Sequence, residues 1–346
     1  MIQMLSYILA LVVSIFMALF LAPTAKYAAR RFGILDKPGA RKIHARPTPL
    51  LGGVAIFLSF ALTSAVFLYH QEYNFWMIFW GLVFVLFGLI DDKGINIRAR
   101  YKIWSHLLFA GLFVITAKTG LHFIRIEWIN FLLTAGFITF MTNSLNMLDG
   151  MDGLVGGITA IASFFFFVLA LNNGQPDLAI LSLIILGACL GFLRYNFYPA
   201  SIFLGEAGST FLGYMLAVMA IKLNVLGLWD VALTLHITRL QIVSFIIPLI
   251  ILGIPIFDTY FVFANRFLHQ IKFSQPGKDH THHRIHLRGF SQKATVLTLY
   301  AVQFILGAVA LAMINSGAQQ FFALFGIVAV IAVIAWNFLT RVEVYS

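Results

Sequence analysis

The sequence predicts an all-α fold: a polytopic transmembrane bundle of about eleven helices, each near the length a bilayer requires. Three observations carry that prediction. Of 346 residues, 61% are hydrophobic and only 10% are charged, where an ordinary soluble domain has about 25% charged residues. The apolar residues are gathered into separate runs rather than spread evenly. The basic residues alternate between the connecting loops, as the positive-inside rule requires of a membrane protein. A soluble globular chain is excluded.

The runs follow in order. The first, 3–25, lacks a basic leader and a small-residue cleavage site, so it reads as a retained span rather than a signal peptide. Runs at 50–69, 75–90 and 103–118 come next, followed by 129–142, the shortest and weakest of the set. Then come 157–172, 178–193 and 207–222, a longer run at 241–263, and finally 295–314 and 319–340. No internal repeat or separate soluble domain interrupts them, and 1–346 reads as one integral-membrane domain. The single Cys189 lies inside an apolar run, which leaves no disulfide framework and no cysteine-based metal site.

Charge sets the orientation. Segments 26–48, 91–102, 143–156, 194–206, 264–294 and the C-terminal tail hold 19 of the 23 Lys and Arg; the opposite set holds only Lys118, Arg125, Lys222 and Arg239. The first set is therefore expected in the cytoplasm, with the N-terminus outside and the C-terminus inside. The net charge of +10 follows this loop pattern. It therefore points to the membrane and to an anionic substrate, with no nucleic-acid partner expected.

Carboxylates beside hydrocarbon are expensive, and membrane proteins keep them mainly for ions, protons or charged substrates. Only 13 Asp and Glu occur, and five lie in three short segments at the ends of apolar runs. Asp91-Asp92 is followed by Lys93, Arg98, Arg100 and Lys102. Adjacent acids repel, which suits one of them to proton transfer, and such a pair also holds Mg²⁺ beside phosphates. A polar helix end would look the same. Asn143, Asn146, Asp149 and Asp152 recur every three residues and are interleaved with glycines at 150, 153, 156 and 157. Oxygen-only donors of this kind suit a hard cation, with a backbone turn built of Asn, Asp and Gly as the alternative. In Gly205-Glu206-Ala-Gly208-Ser209-Thr210, Ser209 or Thr210 suits a helix cap and Glu206 the positive end of the helix dipole.

Two cytoplasmic loops add cations. His280, His282, His283, Arg284 and His286 cluster in 264–294, close to Lys278 and Arg288. Without cysteine nearby, zinc is poorly supported; the basic setting fits a diphosphate or nucleotide, which neutral histidines can also bond. The first loop carries Arg41, Lys42, His44 and Arg46 among prolines and glycines. Those cations suit phosphate or anionic headgroups, and ordinary positive-inside loading explains them equally well.

Together, DKPGARKIHARPTPLLGG, DDKG, NSLNMLDGMDGL, FLGEAGS and DHTHHR, in that order over about residues 23–290, resemble the polyprenyl-phosphate N-acetylhexosamine-1-phosphate transferases. Within that family (glycosyltransferase family 4) the chain looks most like the WecA/TagO branch. The resemblance implies a cytoplasmic-face active site in the bacterial plasma membrane. It implies transfer of a sugar-1-phosphate, N-acetylglucosamine first, from a UDP-N-acetylhexosamine to undecaprenyl phosphate, with UMP released and Mg²⁺ or Mn²⁺ required. Asp91 and Asp92 match the essential acid pair. Asn146, Asp149 and Glu206 match positions at the metal, Asp152 a polar position at the diphosphate, and Lys102 a phosphate-contacting lysine. His280, His282, His283 and Arg284 match the nucleotide-sugar loop, and Lys42 and His44 fall in the first-loop motif. Glu206 departs from the family's usual Asp, and its extra methylene moves the carboxylate by about one bond length where Mg²⁺ tolerates little distortion. Dimers occur in the family, although no feature here demands one. A transporter or flippase for an anionic substrate is the rival class, but it would place its ionisable groups near the midplane in broken helices.

Overall fold

The computed structural model describes residues 2–36, 47–95, 97–273, 275, 277–314, 316–342 and 344. All eleven apolar runs fall on helix. The long helices are α1 (Ile2–Arg31), α2 (Gly52–Phe67), α3 (Glu72–Asp92), α4 (Ala99–Ala117), α5 (Glu127–Leu148), α6 (Leu154–Asn172), α7 (Pro176–Asn196) and α8 (Gly205–Lys222). Short helices α9 (Trp229–Thr234), α10 (Leu240–Ser244) and α11 (Ile246–Ile251) lead into α12 (Gly253–Leu268), α13 (Thr281–Leu287), α14 (Gln292–Met313) and α15 (Ala318–Thr340).

Length and composition qualify seven of these helices as membrane spans among the described residues, or nine if two bent pairs each count as one. The chain is a multi-pass membrane protein, and seven to nine of the eleven expected spans qualify among the described residues. With only 16 residues, α2 spans about 24 Å, short of a bilayer core. Charges in its first turns keep α4 outside the group. The run at 241–263 is also not one helix, because α10–α11 and α12 meet at 83°. Pro248 and the Gly253-Ile-Pro255 sequence account for that break. One element was unforeseen: β1 (Leu35–Asp36) pairs antiparallel with β2 (Thr48–Pro49), closing the base of the first loop.

At the centre is α8, buried along every face from Ala207 to Ile221 and packed on α2, α3 and α5. A helix that is apolar all round belongs inside a bundle. On the other side, α7 packs closely against α1. A Cβ on Gly187 would lie 2.7 Å from Leu11 O, and one on Gly191 2.5 Å from Ile15 O, so this small-xxx-small pair lets two backbones touch. Ser14 Oγ donates to Ile184 O at 2.6 Å and Ser59 Oγ to Ser14 O at 2.9 Å, linking α1, α2 and α7.

The start of α8 is fixed by main chain. Gly52 N and Gly53 N donate to Phe203 O and Leu204 O at 3.0 and 2.8 Å. A Cβ on Gly53 would collide with Gly208 N, where no side chain can move aside. Gly53→Ala is therefore expected to destabilise the fold by about 3 kcal/mol. A thermal scan of the detergent-solubilised variant checks this, and an unchanged midpoint would refute the contact.

Candidate active site

The end of α3 meets the start of α8. The first N–H groups of a helix lack intrahelical partners and carry partial positive charge. Asp92 supplies what they need: its Oδ1 accepts from Glu206 N at 2.8 Å and its Oδ2 from Ala207 N at 3.1 Å. Gly205, at φ +75°, makes the turn that lets them approach. Both oxygens of Asp92, expected to be catalytic, are thus engaged in holding α8. Asp91 faces differently. Its Oδ1 accepts from Ile97 N at 3.0 Å, and its Oδ2 lies 2.9 Å from Lys102 Nζ.

Lys102, one turn into α4, also reaches Glu206 Oε2 at 2.5 Å. The longer glutamate arm thus ends on an ammonium ion beside the Asp91 carboxyl, while its other oxygen, Oε1, is buried with no hydrogen-bond partner among the described residues. Asn146 Oδ1 accepts from Ser209 Oγ at 3.0 Å, so α5 is tied to the same corner. Four helices, α3, α4, α5 and α8, therefore bring together Asp91, Asp92, Lys102, Asn146 and Glu206.

The segment after α5 carries Asp149 and Asp152. Asp152 Oδ2 accepts from Ala200 N at 2.8 Å, and Asn196 Oδ1 accepts from Gly153 N at 3.1 Å, pinning this turn to the last residue of α7 and the chain just beyond it. Desolvation pushes Asp149 up to about 8, with the like charges of Asp92, Asp152 and Asp36 adding to it. An acid raised in the folded state costs stability as pH climbs from its ordinary 3.8 towards about 8. Asp149→Asn removes that cost. The variant is expected to be more heat-stable than the parent by about 1–2 kcal/mol at neutral pH, a discounted figure because the side chain is partly exposed. The margin should widen as pH rises and level off above the raised value. A midpoint that falls at every pH would contradict the account of a carboxylate raised by burial.

The histidine segment closes over this turn. His282 is buried, with neither ring nitrogen bonded, and lies against Gly150, where a Cβ would strike its Nε2. Its ring is 4.2 Å from that of His283 and 5.6 Å from that of His280. His280 Nδ1 is 2.8 Å from Asp258 Oδ2, and Thr281 donates to Asp258 Oδ1 from its N and Oγ1 at 2.7 and 2.8 Å. Burial opposes charge on His280, but Asp258 overcomes it and raises the group. Burial and the neighbouring imidazoles hold His282 well below the usual histidine range, and burial with His280 brings His283 down to about 4.

One expected residue is placed otherwise. Arg284 is buried, donating to Asp279 O at 3.0 Å, Leu339 O at 3.1 Å and Val342 O at 2.7 Å. Its guanidinium thus serves the C-terminal segment, because the carbonyls at the end of α15 need donors. Lys42 and His44 lie outside the described residues. Sequence reasoning missed Asp258, whose signal was an acid inside the apolar run 241–263. It also missed the Arg266–Asp279 pair, at 2.6 and 2.8 Å, which braces the segment before α13.

No three His, Cys, Asp or Glu among the described residues converge as a ready cation cage. Mg²⁺ rarely asks for one, since one or two carboxylates plus substrate phosphates and water suffice. The partnerless Glu206 Oε1, the Asn146 amide oxygen and the crowded Asp149 carboxylate are the hard donors present, and they fit that mode.

The model of glycosyl transferase family 4 matches residues 74–224. Over 323 residues, 90% of this chain and 86% of the relative, the chain is 32% identical to a Bacillus subtilis (strain 168) protein named "Probable undecaprenyl-phosphate N-acetylglucosaminyl 1-phosphate transferase". The chain belongs to glycosyl transferase family 4. Within it, the relatives are polyprenyl-phosphate N-acetylhexosamine-1-phosphate transferases. A decaprenyl-phosphate N-acetylglucosaminephosphotransferase from Mycobacterium tuberculosis (strain CDC 1551 / Oshkosh) is 31% identical over 81% of this chain and 76% of its own. A phospho-N-acetylmuramoyl-pentapeptide-transferase from Caldicellulosiruptor bescii is 27% identical over 89% and 97%. The matched stretch of the family 4 model includes Asp91, Asp92, Lys102, Asn146, Asp149, Asp152 and Glu206. The histidine segment lies beyond it.

Proposed function

We propose that this chain transfers N-acetylhexosamine-1-phosphate, most readily N-acetylglucosamine-1-phosphate, from a UDP-sugar to undecaprenyl phosphate on the cytoplasmic face of the bacterial plasma membrane. The observation that carries the reading is the joining of α3, α4, α5 and α8 at one corner, where Asp91, Lys102 and Glu206 form one charged network. Family membership supports sugar-phosphate transfer to a polyprenyl phosphate. The higher identity to the N-acetylglucosamine relatives than to the muramoyl-pentapeptide one, 32% against 27%, favours the simpler sugar.

An oxygen of the lipid phosphate attacks the β-phosphorus of the UDP-sugar, the bond from that phosphorus to the bridging oxygen breaks, and UMP leaves. Asp91 takes the proton of the attacking phosphate, since Asp92 is engaged on α8. Lys102 offers its ammonium to the incoming phosphates, releasing Asp91 and Glu206 as it turns. Glu206 through Oε1, Asn146 through Oδ1 and Asp149 would hold Mg²⁺, or Mn²⁺ in its place. The ion supplies charge neutralisation on the diphosphate and on departing UMP. His282 and His283, neutral by burial, can bond the nucleotide sugar as donor and acceptor. Exposed apolar side chains such as Phe16, Phe20, Phe79 and Leu86 face the acyl chains.

The test is UMP release by purified protein given undecaprenyl phosphate, UDP-N-acetylglucosamine and Mg²⁺, beside reactions without lipid and without metal. UMP that needs both supports the reaction and the donor. Release only from another UDP-sugar corrects the donor, and silence with every UDP-sugar and with Mn²⁺ refutes the proposal.

A further inference from the structure

The four Lys and Arg of the opposite loop set stand apart from the cytoplasmic majority, and three of them converge. Lys118, Lys222 and Arg239 line one cavity of about 500 Å³, together with His122, Asn224 and Gln241, and among the described residues no Asp or Glu lines it. Basic residues are depleted in loops on that face, so a convergence of three needs a reason. The cavity volume suits a small ligand.

Two helices give its position. Lys102 and Lys118 bound one stretch of α4, and Glu206 and Lys222 one stretch of α8. Each pair is separated by 16 residues, or about 24 Å of helix. The cavity therefore lies across the bundle from the carboxylate corner, at the far ends of the same two helices.

Local structure holds its cations in place. Arg239 donates to His122 O at 3.0 Å and to Ile124 O, which fixes its stem beside the cavity. Lys222 Nζ stands 3.5 Å from the Tyr73 ring centroid. Lys118 is exposed and ends α4 in the left-handed conformation, with φ 47° and ψ 43°, which fixes its direction at the helix terminus. Two acids stand nearby: Asp177, bonded to His70 and Gln71 at 3.3 and 2.5 Å, also attracts Lys222, and Glu127 lies 3.8 Å from His122.

We propose that this cavity binds a phosphate-class anion on the face opposite the carboxylate corner. Its two sources are an anionic lipid headgroup in that leaflet and a soluble phosphate or diphosphate. Full-length protein in neutral detergent is titrated with phosphatidylglycerol, with phosphatidylcholine and separately with inorganic pyrophosphate, with binding read by native mass spectrometry. The same titrations are run on Lys118→Gln and on the Lys118→Gln/Lys222→Gln double variant. Preference for phosphatidylglycerol, weakened about tenfold in the double variant, identifies the lipid source. Pyrophosphate binding weakened likewise identifies the soluble one. Binding at the carboxylate corner is unchanged by these substitutions and cancels in the comparison. Should the double variant unfold, the single one decides, because Lys118 is exposed. Binding that is identical in parent and variants for all three probes overturns the proposal.

Discussion

Asp91→Asn is expected to lower turnover about a thousandfold while leaving the melting temperature close to the parent's. The amide keeps an oxygen to accept from Ile97 N, and Lys102 keeps Glu206 as a partner. What disappears is the only carboxylate of the pair not occupied by the α8 main chain. Asp92→Asn should behave in the opposite way. Its amide would turn an NH₂ toward Glu206 N or Ala207 N, donor against donor, so the start of α8 should loosen and the midpoint fall. The two variants together separate chemistry from positioning. If Asp91→Asn kept more than about a tenth of parental turnover, the proton acceptor would have to be another group.

The second large effect is expected at a residue no sequence motif flagged. Asp258→Ala removes the acceptor of three bonds, from His280, Thr281 N and Thr281 Oγ1, at the start of α13. Breaking a buried charge pair by deleting one partner costs about 3–5 kcal/mol. The loss should fall on the histidine segment, raising KM for the UDP-sugar tenfold or more, with a smaller change in kcat. A milder Asp258→Asn keeps an acceptor for Thr281 and isolates the charge. Asp258 raises His280, so that contribution is complete below the ordinary histidine value of 6.5 and is lost as pH rises through the higher folded value. The stability gap between parent and Asp258→Asn should therefore be widest in mild acid and narrow in base. A gap independent of pH would mean that the pair is not charged in the folded protein.

How much could be read beforehand follows from what carboxylates cost in a membrane. Asp91, Asp92, Asn146 and Glu206 stood out because polar groups at the ends of apolar runs need a purpose, and they do meet at one corner. Which acid of the pair caps α8 was invisible, because it depends on where a helix 114 residues away begins. Asp258 was hidden by the opposite bias: inside a long hydrophobic run it was absorbed into a span. Arg284 was grouped with the histidines by proximity in sequence, yet on a short helix its neighbours point elsewhere and it faces α15. The close packing of α1 on α7 rests on Gly187 and Gly191, four residues apart, a spacing that a search for small-xxx-small pairs would have found.

The break between α11 and α12 has a mechanical side. Pro255 has no N–H, so Ile251 O loses the donor that a continuous helix would give it. Gln303 Nε2, on α14, donates to that carbonyl instead. The elbow is thus spliced with a bond borrowed from a neighbour, and α11 and α14 are joined at the pivot. α12 follows that elbow and carries Asp258, so a sideways shift of α14 within the bilayer would reach the histidine segment through α11 and α12. The aromatic and aliphatic outer face of α14, with Leu297, Phe304 and Ile305 exposed, is in this sense a handle by which the surrounding lipid can press on the site.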